Sequence, residues 1–291
     1  MTNPVSTKSG EDSARMMLSD SELDMPKALS PQWPEFDDAM VASVGEFLRS
    51  CTIPLVFEEG DTSFIHGTGC FFQGVESLYL ITASHVLSSI DPAKLGVPKN
   101  PIEAHSFTFG QVTVNYPTDE KLDVAVVRIE DPDFPNAVAA NWRVLDPKNV
   151  LLRPAECNRF IVAGYPTQTA LKEGDVIRPK PLQLYTTRYT EQVDGGLGPF
   201  DFALAYAREA NDVKGRAIAT PKVEGVSGAA VWGLASSTPE DIWTPESQLK
   251  LVGVQSSYVH SKYIRAKSWT LILEVFRRID PATFEAIVNA H

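Results

Sequence analysis

Three short segments carry side chains that can do covalent chemistry together. Leu80-Ile81-Thr82-Ala83-Ser84-His85-Val86 ends an apolar run on an imidazole, and Leu122-Asp123-Val124-Ala125-Val126-Val127 starts one on a carboxylate. Glu224-Gly225-Val226-Ser227-Gly228-Ala229 sets a hydroxyl between glycines. A serine hydroxyl is a weak nucleophile until a base takes its proton and an acid orients that base. His85, Asp123 and Ser227 supply those three types. Gly225 and Gly228 permit the backbone angles of a tight turn. Such a turn can aim the N–H groups of Gly225 and Ser227 at one point, as an oxyanion hole requires. Singly, each segment has an ordinary explanation: a packed His, a turn Asp before a strand, a Gly/Ser loop. The combination points to nucleophilic catalysis.

The elements that must position these residues are mostly short strands. The chain has 291 residues and is 43% hydrophobic, enough for about two cores, and 18 Gly and 21 Pro punctuate its apolar runs. Residues 1–35 are rich in Ser, Asp, Glu and Pro and are expected to form a loosely ordered acidic tail. A helix is expected over 36–50, with Met40, Val41, Val44, Phe47 and Leu48 on one face. Strand-like runs follow at 53–57, 67–72, 78–82, 106–109, 112–114 and 124–129. A proline-punctuated connection over 131–157 leads to further runs at 159–164, 182–187, 202–205, 229–232 and 251–254. After Ser261 the period becomes helical, through Ile264, Trp269, Leu271, Ile272, Val275, Phe276 and Ile279, with a last helix over 282–290. Many short strands leave barrels or a sandwich open.

At this point the chain resembles the chymotrypsin/trypsin-like serine peptidases, especially their disulfide-poor bacterial, HtrA-like branch. The matching pieces are Thr82-Ala83-Ser84-His85, Asp123-Val124-Ala125-Val126 and Gly225-Val226-Ser227-Gly228, in the family's order. Gly67-Thr68-Gly69, Ala163-Gly164-Tyr165-Pro166 and Leu251-Val252-Gly253-Val254 resemble neighbouring strands, so the likeness spans roughly residues 50–265. It implies a mainly β fold of two six-stranded antiparallel barrels with an N-terminal helix and C-terminal helices. The expected divisions are 36–150 with His85 and Asp123, 151–265 with Ser227, and 266–291 as packed helices. It further implies a serine endopeptidase with Ser227 as nucleophile, His85 as base, Asp123 as orienter, and Gly225 and Ser227 N–H as oxyanion donors. Lys222, Ser256, Ser257 and Tyr258 fall where substrate is bound, Ser256 also where the family places a hydroxyl on the triad carboxylate.

Some positions depart from the family. Val226 stands where zymogen-activated relatives carry the Asp that pairs with a freed N-terminus, so that route is not expected, and other packing must hold the loop. Val86 replaces a disulfide cysteine, and Ala229 and Ala230 replace small residues. The three cysteines, Cys51, Cys70 and Cys157, make no disulfide framework, and no export signal or membrane span is readable, so a soluble cytoplasmic protein is expected. The charge of −11 argues against nucleic acid. No cofactor or metal is expected, since His66 and Cys70 lack further ligands at useful spacing. A protein or peptide substrate is expected, with a separate activating or recruiting protein as a further partner. An α/β-hydrolase esterase is disfavoured because Ala229 breaks its G-x-S-x-G elbow and no catalytic His follows the Ser. The alternative of another class is a non-catalytic or partner-activated module on a protease fold.

Overall fold

The runs ending at Thr82 and beginning at Val124 do not alternate apolar with polar residues, which in a strand means burial on both faces. A computed structural model describes residues 27–29, 38–59, 62–88, 90–99, 106–119, 121–167, 171–173, 176–212, 216–234 and 243–291. In chain order its first half holds β1 (Lys27–Leu29), α1 (Asp38–Cys51), β2 (Ile53–Glu59), β3 (Thr62–Gln73), β4 (Leu78–Thr82), α2 (Ser84–Leu87), β5 (Leu95–Pro98), β6 (Ser106–Thr108), β7 (Val112–Asn115), β8 (Ala125–Ile129) and α3 (Phe134–Ala139). The second half holds β9 (Arg159–Gly164), β10 (Leu171–Glu173), β11 (Val176–Arg178), β12 (Leu182–Thr187), β13 (Asp201–Ala205), β14 (Glu209–Asn211), β15 (Ala217–Ala219), β16 (Ala230–Leu234), α4 (Pro245–Gln248), β17 (Leu249–Val259), β18 (Tyr263–Ser268), α5 (Trp269–Ile279) and α6 (Pro281–Asn289).

The fold is mainly β, with two curled antiparallel sheets. The first runs β6-β5-β2-β3-β4-β8-β7. Its end strands are consecutive in the chain, so the chain closes the curl through Phe109-Gly110-Gln111. Gly110, at φ +63, makes the turn between these two strands. The seventh strand, beyond the six expected, is β5: Leu95-Gly96-Val97-Pro98 is too short a run to stand out and owes its strand character to pairing with β2 and β6. The second runs β13-β18-β17-β16-β9-β12 and closes on itself, since Arg188 bridges to Leu204 and Tyr189 N–H donates to Ala203 O at 3.0 Å. Beyond β12 the same sheet continues through β1, paired parallel to it, to the hairpin β14-β15. The acidic tail expected over 1–35 lies outside the described residues except for β1, which is a paired strand and not loose chain.

Alternation along the central strands explains their unbroken apolar character. Phe71, Leu80, Ala125 and Val127 point into the first barrel, and Phe160, Val162 and Val231 into the second. Their neighbours Cys70, Phe72, Tyr79, Ile81, Val124, Val126, Ile161, Ala163, Ala230 and Trp232 share one further core between the barrels. Successive side chains on a strand face opposite ways, so each of these strands fills a barrel with one face and the seam with the other. Helix α1 closes that seam with Val44, Phe47 and Leu48, the Phe47 ring meeting Trp232 edge-on at 5.4 Å.

The helical stretch expected after Ser261 begins later. Tyr263–Ser268 is a strand paired with both β13 and β17, and Ile264 belongs to the second-barrel core. Pairing on two sides overrides the local period there. Ser268 then caps α5, its hydroxyl accepting from Thr270 N–H. Helix α5 lays Trp269 and Phe276 on Phe72, at 5.4 and 5.6 Å. Tyr79 OH donates to Asp280 Oδ2 at 2.8 Å, and Val75 N–H to Thr283 Oγ1 at 2.9 Å, tying α6 to the first barrel. Among the described residues no helix is long and apolar enough to cross a membrane.

Candidate active site

Strands β4 and β8 are paired with Thr82 opposite Ala125, so the chain leaving β4 and the chain entering β8 lie side by side. His85 leaves on the first and Asp123 arrives on the second. Their side chains meet: His85 Nδ1 lies 2.7 Å from Asp123 Oδ2. The other oxygen, Asp123 Oδ1, accepts from His85 N–H at 3.0 Å and from Ser84 Oγ at 2.7 Å. Both carboxylate oxygens are therefore held, and the free edge of the imidazole is the Nε2 side. Burial pushes the Asp123 carboxyl up, but the hydrogen bonds from His85 and Ser84 outweigh it and hold the group below its ordinary value. The same bond to Asp123 raises the His85 imidazole against the opposing effect of burial.

Ser227 comes from the other barrel, in the turn before β16. Ser227 O accepts from Thr68 N–H at 2.9 Å. A Cβ on Gly228 would run into Thr82 Oγ1, Thr68 O and Ala83 N, so the turn is seated on the residues that lead into His85. Gly67 plays the matching part: a Cβ there would clash with Val86 and lie 3.3 Å from Ser227 O. Ser227 Oγ itself makes no hydrogen bond among the described residues, to His85 or to any other group.

The turn is pinned peptide by peptide. Glu224 O accepts from Thr167 N–H at 2.9 Å and from Thr167 Oγ1 at 3.2 Å. Gly225 O accepts from Thr68 Oγ1 at 3.0 Å, and Val226 N–H donates to Val223 O at 3.0 Å. Ala229 N–H donates to Val226 O at 2.8 Å and Gly228 N–H to Gln255 O at 2.9 Å. Two N–H groups are left without an acceptor among the described residues, those of Gly225 and Ser227. Gly225 has φ +89, and a Cβ there would lie 2.9 Å from both Thr167 N and Tyr165 O. Val226 is buried against Gly164, in the second-barrel core.

The flanking residues divide. Ser256 Oγ donates to Arg265 O at 3.3 Å, whereas the hydroxyl on Asp123 belongs to Ser84. Nothing in the sequence tells which way the Ser84 hydroxyl turns. Ser257 and Lys222 are exposed, and Tyr258 is half-buried. The Tyr258 hydroxyl, pushed up to about 12 by burial and by its hydrogen bond to Glu224, links β17 to the Ser227 turn. Tyr206 supports both, with its OH on Pro221 O at 2.6 Å and its ring edge-on to Tyr258 at 6.0 Å. β16 pairs with β17 only as far as Val254, so beyond Gln255 that side of β17 meets no strand among the described residues and offers an open edge beside Ser227.

Cys51, Cys70 and Cys157 are buried free thiols, Cys51 pushed up to about 12 by burial, which keeps it protonated and unreactive. Among the described residues no three His, Cys, Asp or Glu side chains gather as metal ligands would, and His66 lies beside Phe57.

Neither a protein-family model nor a curated protein matches the chain. Among solved structures it is similar to the thermostable serine protease AL20 from an extremophilic microorganism, at 10% identity over 82% of this chain and 98% of that one, with a TM-score of 0.48. It is also similar to the scabies mite inactivated protease paralogue S-I1, at 14% identity over 81% and 98%, TM-score 0.49. A third is the serine protease domain of the Sesbania mosaic virus polyprotein, at 14% identity over 77% and 90%, TM-score 0.44.

Proposed function

We propose that the protein is a serine endopeptidase of the chymotrypsin-like kind. The observation that carries this reading is the His85–Asp123 pair beside a Ser227 turn in which the Gly225 and Ser227 N–H groups and the Ser227 hydroxyl make no hydrogen bond among the described residues. In the proposed cycle Ser227 Oγ attacks the scissile carbonyl carbon while His85 Nε2 takes its proton. The N–H groups of Gly225 and Ser227 receive the oxyanion. His85 then protonates the departing amine, leaving an acyl-enzyme that water hydrolyses by the same steps, and Asp123 stabilises the imidazolium throughout. The open edge of β17 at Ser256–Tyr258 pairs with the substrate backbone as an added strand. An edge left open in this way admits a peptide within a longer chain, which favours endopeptidase action.

The absence of a Ser227–His85 hydrogen bond favours a second reading, a module that a partner activates or one that does not cut at all. Catalytic hydrogen bonds are often loose before substrate binds. A fluorophosphonate probe separates the readings. Labelling of the wild type and not of Ser227→Ala supports the enzyme. No labelling, and no cutting of a peptide library with or without cell extract, supports the non-catalytic module, and labelling only with extract supports activation by a partner.

Three expectations follow for the active protein. Only neutral His85 can accept the Ser227 proton, and Asp123 raises its pKa, so kcat/KM should climb with pH through a midpoint above 6.5. A pH–rate profile with its acid limb below that value contradicts the pairing. Ser84→Ala removes a hydrogen bond to a charged acceptor and should lower kcat/KM by roughly tenfold, for a loss of about 1.5 kcal/mol. Ser256→Ala, whose hydroxyl faces Arg265 O, should stay within about threefold on peptide substrates.

A further inference from the structure

We infer that Thr68 is a positioning residue through which the first barrel sets the shape of the oxyanion turn, a role that rests on the endopeptidase reading above. Thr68 is fully buried and makes four hydrogen bonds to three other parts of the chain. Its N–H donates to Ser227 O at 2.9 Å, and its carbonyl accepts from Thr82 Oγ1 at 2.7 Å. Its hydroxyl donates to Gly225 O at 3.0 Å and accepts from Tyr165 N–H at 3.0 Å. The backbone bonds join the turn to the strand that leads to His85. The hydroxyl bonds join the same turn to the end of β9.

The hydroxyl is the part that other residues cannot replace. Gly225 has no side chain to limit its own torsions, so its orientation is fixed from outside, by whatever holds the carbonyls on either side of it. Thr167 holds Glu224 O and Thr68 holds Gly225 O. In a trans peptide the N–H points away from the C=O. With Glu224 O turned onto Thr167, the Gly225 N–H faces the opposite side and stays unpaired. Threonine suits the post, because its branched Cβ stiffens χ1 and its hydroxyl has both hydrogen-bonding roles filled. Thr68 and Thr167, with buried Val226, hold the turn by hydrogen bonds and packing, so its shape requires no ion pair to a freed chain terminus.

The test compares Thr68→Val, which keeps the shape and loses the hydroxyl, with Thr68→Ser, which keeps the hydroxyl. The full-length protein is assayed on a peptide amide and titrated with a peptide boronate that mimics the tetrahedral intermediate. Thr68→Val should lose about 100-fold in kcat, the scale of a lost oxyanion donor, with KM nearly unchanged and boronate affinity falling in parallel. Thr68→Ser should remain within about threefold of wild type by the same reasoning. A Thr68→Val enzyme of unimpaired kcat, a loss confined to KM, or a Thr68→Ser enzyme as poor as Thr68→Val overturns the inference. If Thr68→Val does not fold, Thr68→Ala is measured in its place. If the wild type neither labels with fluorophosphonate nor cuts, the endopeptidase reading fails by itself. The amide chemical shift of Gly225 then decides the inference: it should move in Thr68→Val and not in Thr68→Ser, and an unmoved resonance in both overturns it.

Discussion

Ser227→Ala and His85→Ala should each remove peptide turnover by on the order of a million-fold, and the double variant should be no worse, because the two side chains act as one unit. Asp123→Asn should fall by roughly ten-thousand-fold, for a reason the geometry makes specific. Ser84 Oγ and His85 N–H both donate to one carboxylate oxygen, so an asparagine would turn its carbonyl toward them. Its NH2 would then face His85 Nδ1, where Asp123 Oδ2 now sits at 2.7 Å. Two donors cannot share that contact, so the imidazole would carry its proton on Nε2 and present N–H to the serine it should deprotonate. Turnover of a chromogenic peptide, read beside circular dichroism to show that each variant folds, checks all three. An Asp123→Asn protein within tenfold of wild type would mean that Asp123 does not set the tautomer.

Gly228→Ala should be the most damaging glycine-to-alanine change among the described residues for stability and activity together. Gly228 has φ +86, a region that costs an L-residue roughly 1–2 kcal/mol. The added Cβ would overlap Thr82 Oγ1 and Thr68 O and lie 2.9 Å from Ala83 N, and the last two are backbone atoms that cannot rotate away. Strain and overpacking together should cost about 3 kcal/mol and push the Ser227 turn off the His85 segment. Gly195 and Gly196 provide the control, since both have φ +75 and nothing within 4 Å of a built Cβ. Alanine at either should cost only the backbone strain of roughly 1–2 kcal/mol. Urea unfolding midpoints measure the difference; equal losses at Gly228 and Gly195 would show that the barrels do not press on the turn.

The fold was readable where burial left a pattern and hidden where distant pairing made it. Leu78–Ile81 and Val124–Val127 stand out because strands buried on two faces need unbroken apolar runs. The hairpin β14-β15, from Glu209-Ala210-Asn211 and Ala217-Ile218-Ala219, gives no such run, and its strand character comes from its pairing. The apolar residues of Tyr263–Ser268 suit either period, and two flanking strands, which no local pattern reveals, decide for the strand. For the candidate site, residue type and order single out His85, Asp123 and Ser227, and the His85–Asp123 contact is the part of that set the structure brings within hydrogen-bond distance. The direction of a hydroxyl is a property of the assembled structure. Ser84 could be noted only as a small residue before the imidazole, and Ser256 was given the carboxylate contact that Ser84 makes. Thr68 reaches partners 97 and 157 residues away, beyond any local pattern.

The docking of α5 and α6 on the first barrel bears on how the protein is born. Tyr79 and Asp280 are 201 residues apart, yet Phe72 and Tyr79 are covered by Trp269 and Phe276. A nascent chain growing at about 5–20 residues per second carries those aromatic rings uncovered for roughly 10 s or longer before α5 is made. During that interval the apolar seam between the barrels stays uncovered, so the order of synthesis opens a window in which the half-built chain is prone to associate through the surface that α5 later buries.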